Sequence, residues 1–141
     1  MYRTVLPALL PTGIGETLRS LAGKVICCGA LTTVSGQTDA FRAVDYVARI
    51  ARTLGRGAID VALLNSHQYT PGAVGLLKQH DMAPLRYEAH DAHVLSALDI
   101  QPVARDMLIH GTKNTPAMLA QLITHDEAEL RMGVVTAQRI G

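Results

Sequence analysis

The fold turns on residues 24–65. They open as Lys24-Val25-Ile26-Cys27-Cys28-Gly29-Ala30-Leu31, continue as Thr32-Thr33-Val34-Ser35-Gly36-Gln37-Thr38-Asp39, and close as Ile59-Asp60-Val61-Ala62-Leu63-Leu64-Asn65. Val25-Ile26-Cys27-Cys28 is an unbroken apolar run, the pattern of a parallel strand buried on both faces. After the polar loop, Thr38 or Asp39 can cap a helix that runs to about Leu54. Phe41, Val44, Val47, Ala48, Ala51 and Leu54 recur at helical spacing and make one apolar face. Arg42, Asp45, Arg49 and Arg52 fall on the other, with Asp45 and Arg49 placed as an i,i+4 pair. Gly55 and Gly57 end this helix, and residues 59–64 read as a second buried strand. Strand, helix and strand within about 40 residues form a βαβ unit with a right-handed crossover.

Outward from this unit the signals are shorter. Thr70-Pro71 is a cap followed by proline at the first helical position, which predicts a helix to about Met82. Residues 85–89 form a candidate short strand, residues 91–98 a helical turn or two, and residues 100–105 a further strand. Thr115-Pro116 repeats the cap-and-proline signal for a helix to Ile123. Thr124 with Glu127 makes a capping box for a last helix toward Gln138. Toward the N-terminus, residues 4–10 and 14–21 read as helices separated by Pro11 and Gly13.

Composition fits one domain over residues 1–141, since domains commonly run to about 100–150 residues. Hydrophobic residues make up 48% and charged residues 18%, so neither disorder nor a coiled coil is indicated. One Phe, four Tyr and no Trp leave the core to aliphatic side chains. The formal charge of +1, with acids and bases interleaved, gives no basic patch for nucleic acid. The apolar stretches are too short for a membrane span, and a cytoplasmic location is expected. Cys27 and Cys28 point to opposite faces of a strand, so they are expected as buried free thiols.

In parallel α/β sheets, ligands bind beyond the carboxyl ends of the strands. In the βαβ unit those ends open into residues 29–39 and 65–70. The first loop carries hydroxyls, a glycine and a helix N-terminus, a set suited to phosphate or carboxylate. The second offers Asn65, Ser66, His67 and Gln68. The candidate ligand-binding residues are Thr32, Thr33, Gly36, Gln37, Thr38 and Asn65, with Asp39 and Asp45 as candidate acids. The same loop can equally be a plain polar connection with a helix cap. His90 and His93, three apart, raise the question of a metal, but no third ligand stands at a telling spacing, and none is expected.

The same residues resemble a known family. Residues 2–14, Tyr2-Arg3-Thr4-Val5-Leu6-Pro7-Ala8-Leu9-Leu10-Pro11-Thr12-Gly13-Ile14, are similar to an "LYTSILPNLLVPGI" segment. Residues 29–39 stand where the family has "N-L-M-T-Q-P-G-E-T-D". Val44-Asp45-Tyr46-Val47 matches its "S-D-H-V", residues 60–65 its "D-x-V-x-V-N", and Thr124-His125-Asp126 begins a match to its "R-H-D-x-x-K-L-A". The family is that of CofD-like proteins of the YvcK or gluconeogenesis-factor type, related to 2-phospho-L-lactate transferase.

The resemblance implies a Rossmann-like, three-layer α/β/α fold with a mostly parallel sheet, truncated relative to the family. It implies nucleotide sugars or other phosphorylated ligands, with magnesium only where phosphotransfer survives. The family's Gly-rich phosphate loop would precede Met1, so its N-terminal half is expected to be absent. The family's Asn is here Gly29 and its Glu is Gln37, which removes a carboxylate while keeping hydrogen-bonding capacity. Three readings follow: a binding module without transferase activity, a homo-oligomer or partner-assembled protein joined through an exposed sheet edge, and a magnesium-dependent phosphotransferase.

Overall fold

The computed structural model describes residues 2, 3 and 5–108, and the helices expected at 115–123 and from 124 onward lie outside them. In chain order the elements are α1 (Val5–Leu9), α2 (Ile14–Arg19), β1 (Ile26–Cys28), α3 (Ala43–Leu54), β2 (Val61–Asn65), α4 (Pro71–Gln79), a 3₁₀ turn (Ala89–Asp91), α5 (Ala92–Ser96) and β3 (Gln101–Arg105). The three strands form one sheet in the order β1-β2-β3, and both pairings are parallel. This is an α/β fold built on the βαβ unit expected from residues 24–65.

The middle strand explains why the sheet holds together. All five residues of β2 are buried, as a strand covered on both faces requires. Ala62 and Leu64 face a core shared with Leu6, Val44, Val47 and Leu95. Val61 and Leu63 face the other way, toward Leu31, Val103, Met107 and Leu108. Val44 and Val47 are fully buried, and each such side chain stabilises the fold by about 1.5–3 kcal/mol. At the amino end of the strands, Asp60 Oδ2 accepts the Val25 N–H at 2.7 Å and ties β1 to β2.

Several local expectations are corrected. The strand β1 is not buried on both faces: Cys28 is exposed and Cys27 only half-buried, because β1 lies at the sheet edge. The helix α3 begins at Ala43, not after Thr38 or Asp39. Thr38 is drawn into the loop instead, and Asp45 caps the helix by accepting the Arg42 N–H at 2.8 Å. Asp45 consequently pairs with Arg42 and not with Arg49, whose guanidinium lies 5.6 Å over the Tyr2 ring.

The helix α4 has its expected cap, Thr70 accepting the Ala73 N–H at 3.3 Å. It stops at Gln79 rather than Met82, and Asp81 turns left-handed at φ 52°. Residues 85–89 form no strand. They are held extended by an isolated bridge between Thr32 and Pro84 and by single hydrogen bonds from Leu85 N–H to Leu31 O (2.8 Å) and from Tyr87 N–H to Asn65 O (2.7 Å).

Two glycines show why the ends of α3 pack as they do. Gly55 closes the helix at φ 88°, a conformation that side chains disfavour. Gly15 in α2 lies against the last turn of α3, where a Cβ would sit 2.0 Å from the Leu54 carbonyl oxygen. Arg19 completes this contact by donating to that same oxygen at 3.0 Å.

Candidate functional site

The carboxyl ends of the three strands open into loops that are knitted together by Asn65. Its side chain is buried at the end of β2. Asn65 Oδ1 accepts the His67 N–H at 3.2 Å and the Met107 N–H at 3.1 Å, while Nδ2 donates to the His67 carbonyl at 3.2 Å. One amide therefore links the segments that follow β2 and β3. Above it, His67 Nδ1 lies 2.9 Å from Asp106 Oδ2. Tyr69 reaches back to the first loop, its hydroxyl donating to Leu31 O at 2.5 Å.

The first loop is folded tightly on itself. Thr33 Oγ1 accepts the Ala83 N–H at 2.7 Å. Thr38 Oγ1 accepts the Val34 N–H at 2.8 Å and shares a 2.7 Å hydrogen bond with the Tyr46 hydroxyl. The Tyr46 hydroxyl also lies 3.3 Å from the Thr32 carbonyl. Thr32, Thr33 and Thr38 are all buried; the Thr38 hydroxyl serves the loop's own backbone, and the Thr33 hydroxyl ties the loop to the segment after α4. Gly36 sits at the exposed tip with φ 70°, and its N–H donates to Asp39 Oδ1 at 3.1 Å.

Gln37 is different. Its Oε1 is buried and has no hydrogen-bond donor among the described residues. A buried acceptor without a donor is costly, and native proteins leave few of them.

The two candidate acids are not brought together as a catalytic pair. Asp39 is committed to the turn at Gly36. For Asp45, burial raises the carboxyl. The side-chain and backbone hydrogen bonds from Arg42, with the charges of Arg42 and Arg52, outweigh it and hold the group below its ordinary value. Among the described residues no set of three or more His, Cys, Asp or Glu side chains is arranged to hold a metal ion. His93 Nδ1 lies 2.8 Å from the His90 carbonyl, an arrangement internal to one helical turn.

Two concavities flank the first loop. On one side a cleft of about 440 Å³ lies between the start of α3, residues 68–69 and residues 84–91. Its charged residues are Arg42, Arg86, Glu88, His90 and Asp91, none of which the sequence singled out as a site. Arg42 Nη1 meets Asp91 Oδ1 at 2.7 Å, and Arg86 Nη2 meets Glu88 Oε1 at 2.6 Å. The first contact spans 49 residues of chain, which no local pattern could reveal. Only the spacing of His90 hinted at chemistry here.

On the other side, an apolar groove of about 540 Å³ runs along the outer edge of β1. Its walls come from Val5 and Leu9 of α1, Leu18 of α2, and Ile50 of α3. Cys27 and Cys28 line it. Burial, with the neighbouring Cys28, pushes the Cys27 thiol up to about 11, and burial also raises Cys28.

Residues 1–108 match the family model described as 2-phospho-L-lactate transferase CofD. The chain belongs to the CofD family. Among relatives of this CofD-like chain, the gluconeogenesis factor of Bacillus subtilis strain 168 is 28% identical over 87% of the chain and 40% of its own length. The gluconeogenesis factor of Listeria monocytogenes is 30% identical over 77% of the chain and 32% of its own length. A UPF0052-family protein from Bacillus halodurans superposes with a TM-score of 0.77 at 20% identity, covering 93% of this chain and 38% of that one. The CofD-like chain thus spans about two-fifths or less of the length of these relatives. Among the described residues, no helix is long and apolar enough to cross a membrane.

Proposed function

We propose that the chain is a CofD-like binding module for a phosphorylated or nucleotide-sugar ligand held at the carboxyl edge of the sheet, without phosphotransfer. The observation that carries this reading is Gln37 Oε1, a buried acceptor lacking a donor among the described residues, at the loop where the family resemblance is densest. A ligand hydroxyl or amide N–H is the kind of group that would complete it. Gly36, exposed at the tip, lets a phosphate approach the backbone closely. The Thr33 and Thr38 hydroxyls act from behind, by setting the shape of the loop.

The lack of phosphotransfer is supported by the state of the two acids. Each is engaged by donors of its own loop or helix, and Asp45 is held ionised by Arg42. Among the described residues no cluster of His, Cys, Asp or Glu is arranged to hold magnesium.

The test is a thermal-shift series with UDP-glucose, GDP, GTP and phospholactate, each with and without magnesium. A ligand at about 100 times its dissociation constant stabilises the fold by ~2.7 kcal/mol, a rise of several degrees at this size. Gln37→Leu should abolish the rise while leaving the unliganded fold intact. No rise with any of these ligands sinks the reading, and release of a nucleoside phosphate restores the transferase alternative.

A second reading, assembly with another copy or with a separate chain, is supported by the edge strand β1. Among the described residues β1 is an edge strand bordering the apolar groove, and a strand edge tends to pair. Light scattering at micromolar concentration separates the two, since a monomer there removes self-association.

A further inference from the structure

The charges of the 440 Å³ cleft are arranged against a phosphate. Two lining carboxylates, those of Glu88 and Asp91, meet two guanidinium groups, those of Arg42 and Arg86, while Asp45 holds Arg42 from outside the lining. Arg42 is bound by Asp45 at 3.1 Å and by Asp91 at 2.7 Å, and Arg86 by Glu88 at 2.6 Å. His90 stands between the acids, with Nδ1 3.3 Å from Glu88 Oε2 and Nε2 3.5 Å from Asp91 Oδ1. The lining carboxylates and guanidinium groups balance one for one, and each guanidinium already has its counter-ion. A phosphate entering here would break short ion pairs and expose carboxylates to a like charge.

Acceptors, by contrast, remain available. The Asp91 side chain is only 3% exposed, and its Oδ2 has no donor among the described residues, since Arg42 and His90 both approach Oδ1. The Glu88 side chain is 44% exposed. Phe41, Tyr69, Pro84 and Leu85 supply the apolar part of the wall. The volume falls within the roughly 300–1,000 Å³ of small-molecule sites. Carboxylate oxygens beside an apolar wall suit a sugar, whose adjacent hydroxyls donate while its C–H face packs.

We infer that this cleft binds the neutral, hydroxyl-bearing part of the ligand through Glu88 and Asp91, with the ligand's phosphate lying outside it. The inference rests on the nucleotide-sugar reading above. The shared chemistry is a pair of vicinal hydroxyls, which either the ribose or the hexose of a nucleotide sugar supplies.

The experiment is two-dimensional amide NMR of the chain titrated with UDP-glucose, uridine, methyl glucoside and inorganic phosphate. UDP-glucose should move the resonances of Arg42, Arg86 and Asp91. Uridine alone should move them if the ribose is the occupant, and methyl glucoside alone if the hexose is. Inorganic phosphate should leave them in place. Glu88→Gln, at a half-exposed position, should weaken UDP-glucose roughly tenfold through loss of a charge-assisted acceptor.

Cleft resonances that follow inorganic phosphate overturn the inference. So does UDP-glucose binding that moves residues 34–38 alone and is unchanged by Glu88→Gln, an outcome that leaves the binding module standing. If UDP-glucose does not bind at all, the binding module and this inference fall together.

Discussion

Asp91 and Arg42 hold each other at 2.7 Å across 49 residues of chain, with the aspartate side chain 3% exposed and the arginine half in solvent. The contact joins the turn before α5 to the first residue before α3, so it fixes one wall of the cleft. Its two halves are unequal. Removing Arg42 strands a buried carboxylate, whereas removing Asp91 leaves an exposed guanidinium that still has Asp45. Arg42→Met should therefore destabilise the fold by about 2 kcal/mol or more, and Asp91→Asn by less. Urea unfolding of both variants checks the order, and equal losses would show that burial of Asp91 does not govern the pair.

Asp45 predicts an acid limb. Its folded carboxyl is held below the ordinary value by the Arg42 hydrogen bonds, which outweigh burial. A depressed folded value means that the contribution is fully present above the unfolded value of about 4. It is lost as the pH falls through the folded value. Asp45→Asn should flatten the decline in unfolding free energy between pH 5 and pH 2 relative to the parent. A decline of unchanged slope would remove Asp45 as its source.

The cysteines predict slow alkylation. The folded Cys27 value of about 11 exceeds the ordinary 9.0, so its thiol supports the fold below pH 9 and withdraws that support as the pH rises toward 11. At pH 8 both thiols stay protonated and are poor nucleophiles. Iodoacetamide followed by peptide mapping should label Cys28, the exposed one, before Cys27, and both more slowly than a free cysteine peptide. Labelling of Cys27 at the peptide rate would contradict its burial.

Two alanine substitutions in helices should move stability in opposite directions. At Gly15 the new Cβ would meet the Leu54 carbonyl oxygen at 2.0 Å, and backbone must shift. At Gly72, in the first turn of α4, nothing lies within 4 Å. Gly72→Ala should stabilise by about 0.4–1 kcal/mol, while Gly15→Ala lowers the melting temperature. A neutral Gly15→Ala would mean that α2 is free to slide along α3.

Thr38 and Tyr46 should behave as one unit. Thr38→Val removes the acceptor for the Val34 N–H and the partner of the Tyr46 hydroxyl. About 1–3 kcal/mol is expected for a buried donor left alone. Tyr46→Phe should cost little more in the Thr38→Val background than it does alone minus their shared bond. A double-mutant cycle measures that coupling, and strict additivity would disprove it.

Much of the framework was legible because it is written in local pattern. The apolar runs at residues 25–28 and 59–64 gave strands, the 3.6-residue rhythm from Val44 to Leu54 gave α3, and Gly55 and Thr70 marked ends that the structure keeps. What local pattern could not carry was who uses each polar group. Thr38 looks like a helix cap, yet a tyrosine eight residues later claims its hydroxyl. Asp45 is one turn from Arg49 but also one turn from Arg42, and the capping geometry decides for Arg42. Residues 85–89 have the composition of a strand, but their partners Leu31 and Asn65 lie on different segments, so no ladder forms. The cleft was invisible for the same reason, since its charges at Arg42 and at residues 86–91 are far apart in the chain and meet only in the folded protein.

Leu31 and Thr32 form a party wall. One side borders the groove along β1. The other is hydrogen-bonded to Leu85 and Tyr69, which line the cleft. Neither room can be remodelled alone. A strand pressed against the outer side of β1 bears on the same carbonyl that positions Tyr69, and a larger side chain at Leu31 would be felt on both sides at once. Any redesign of the cleft for a new ligand therefore has to leave Leu31 as it is, or treat both cavities as one object.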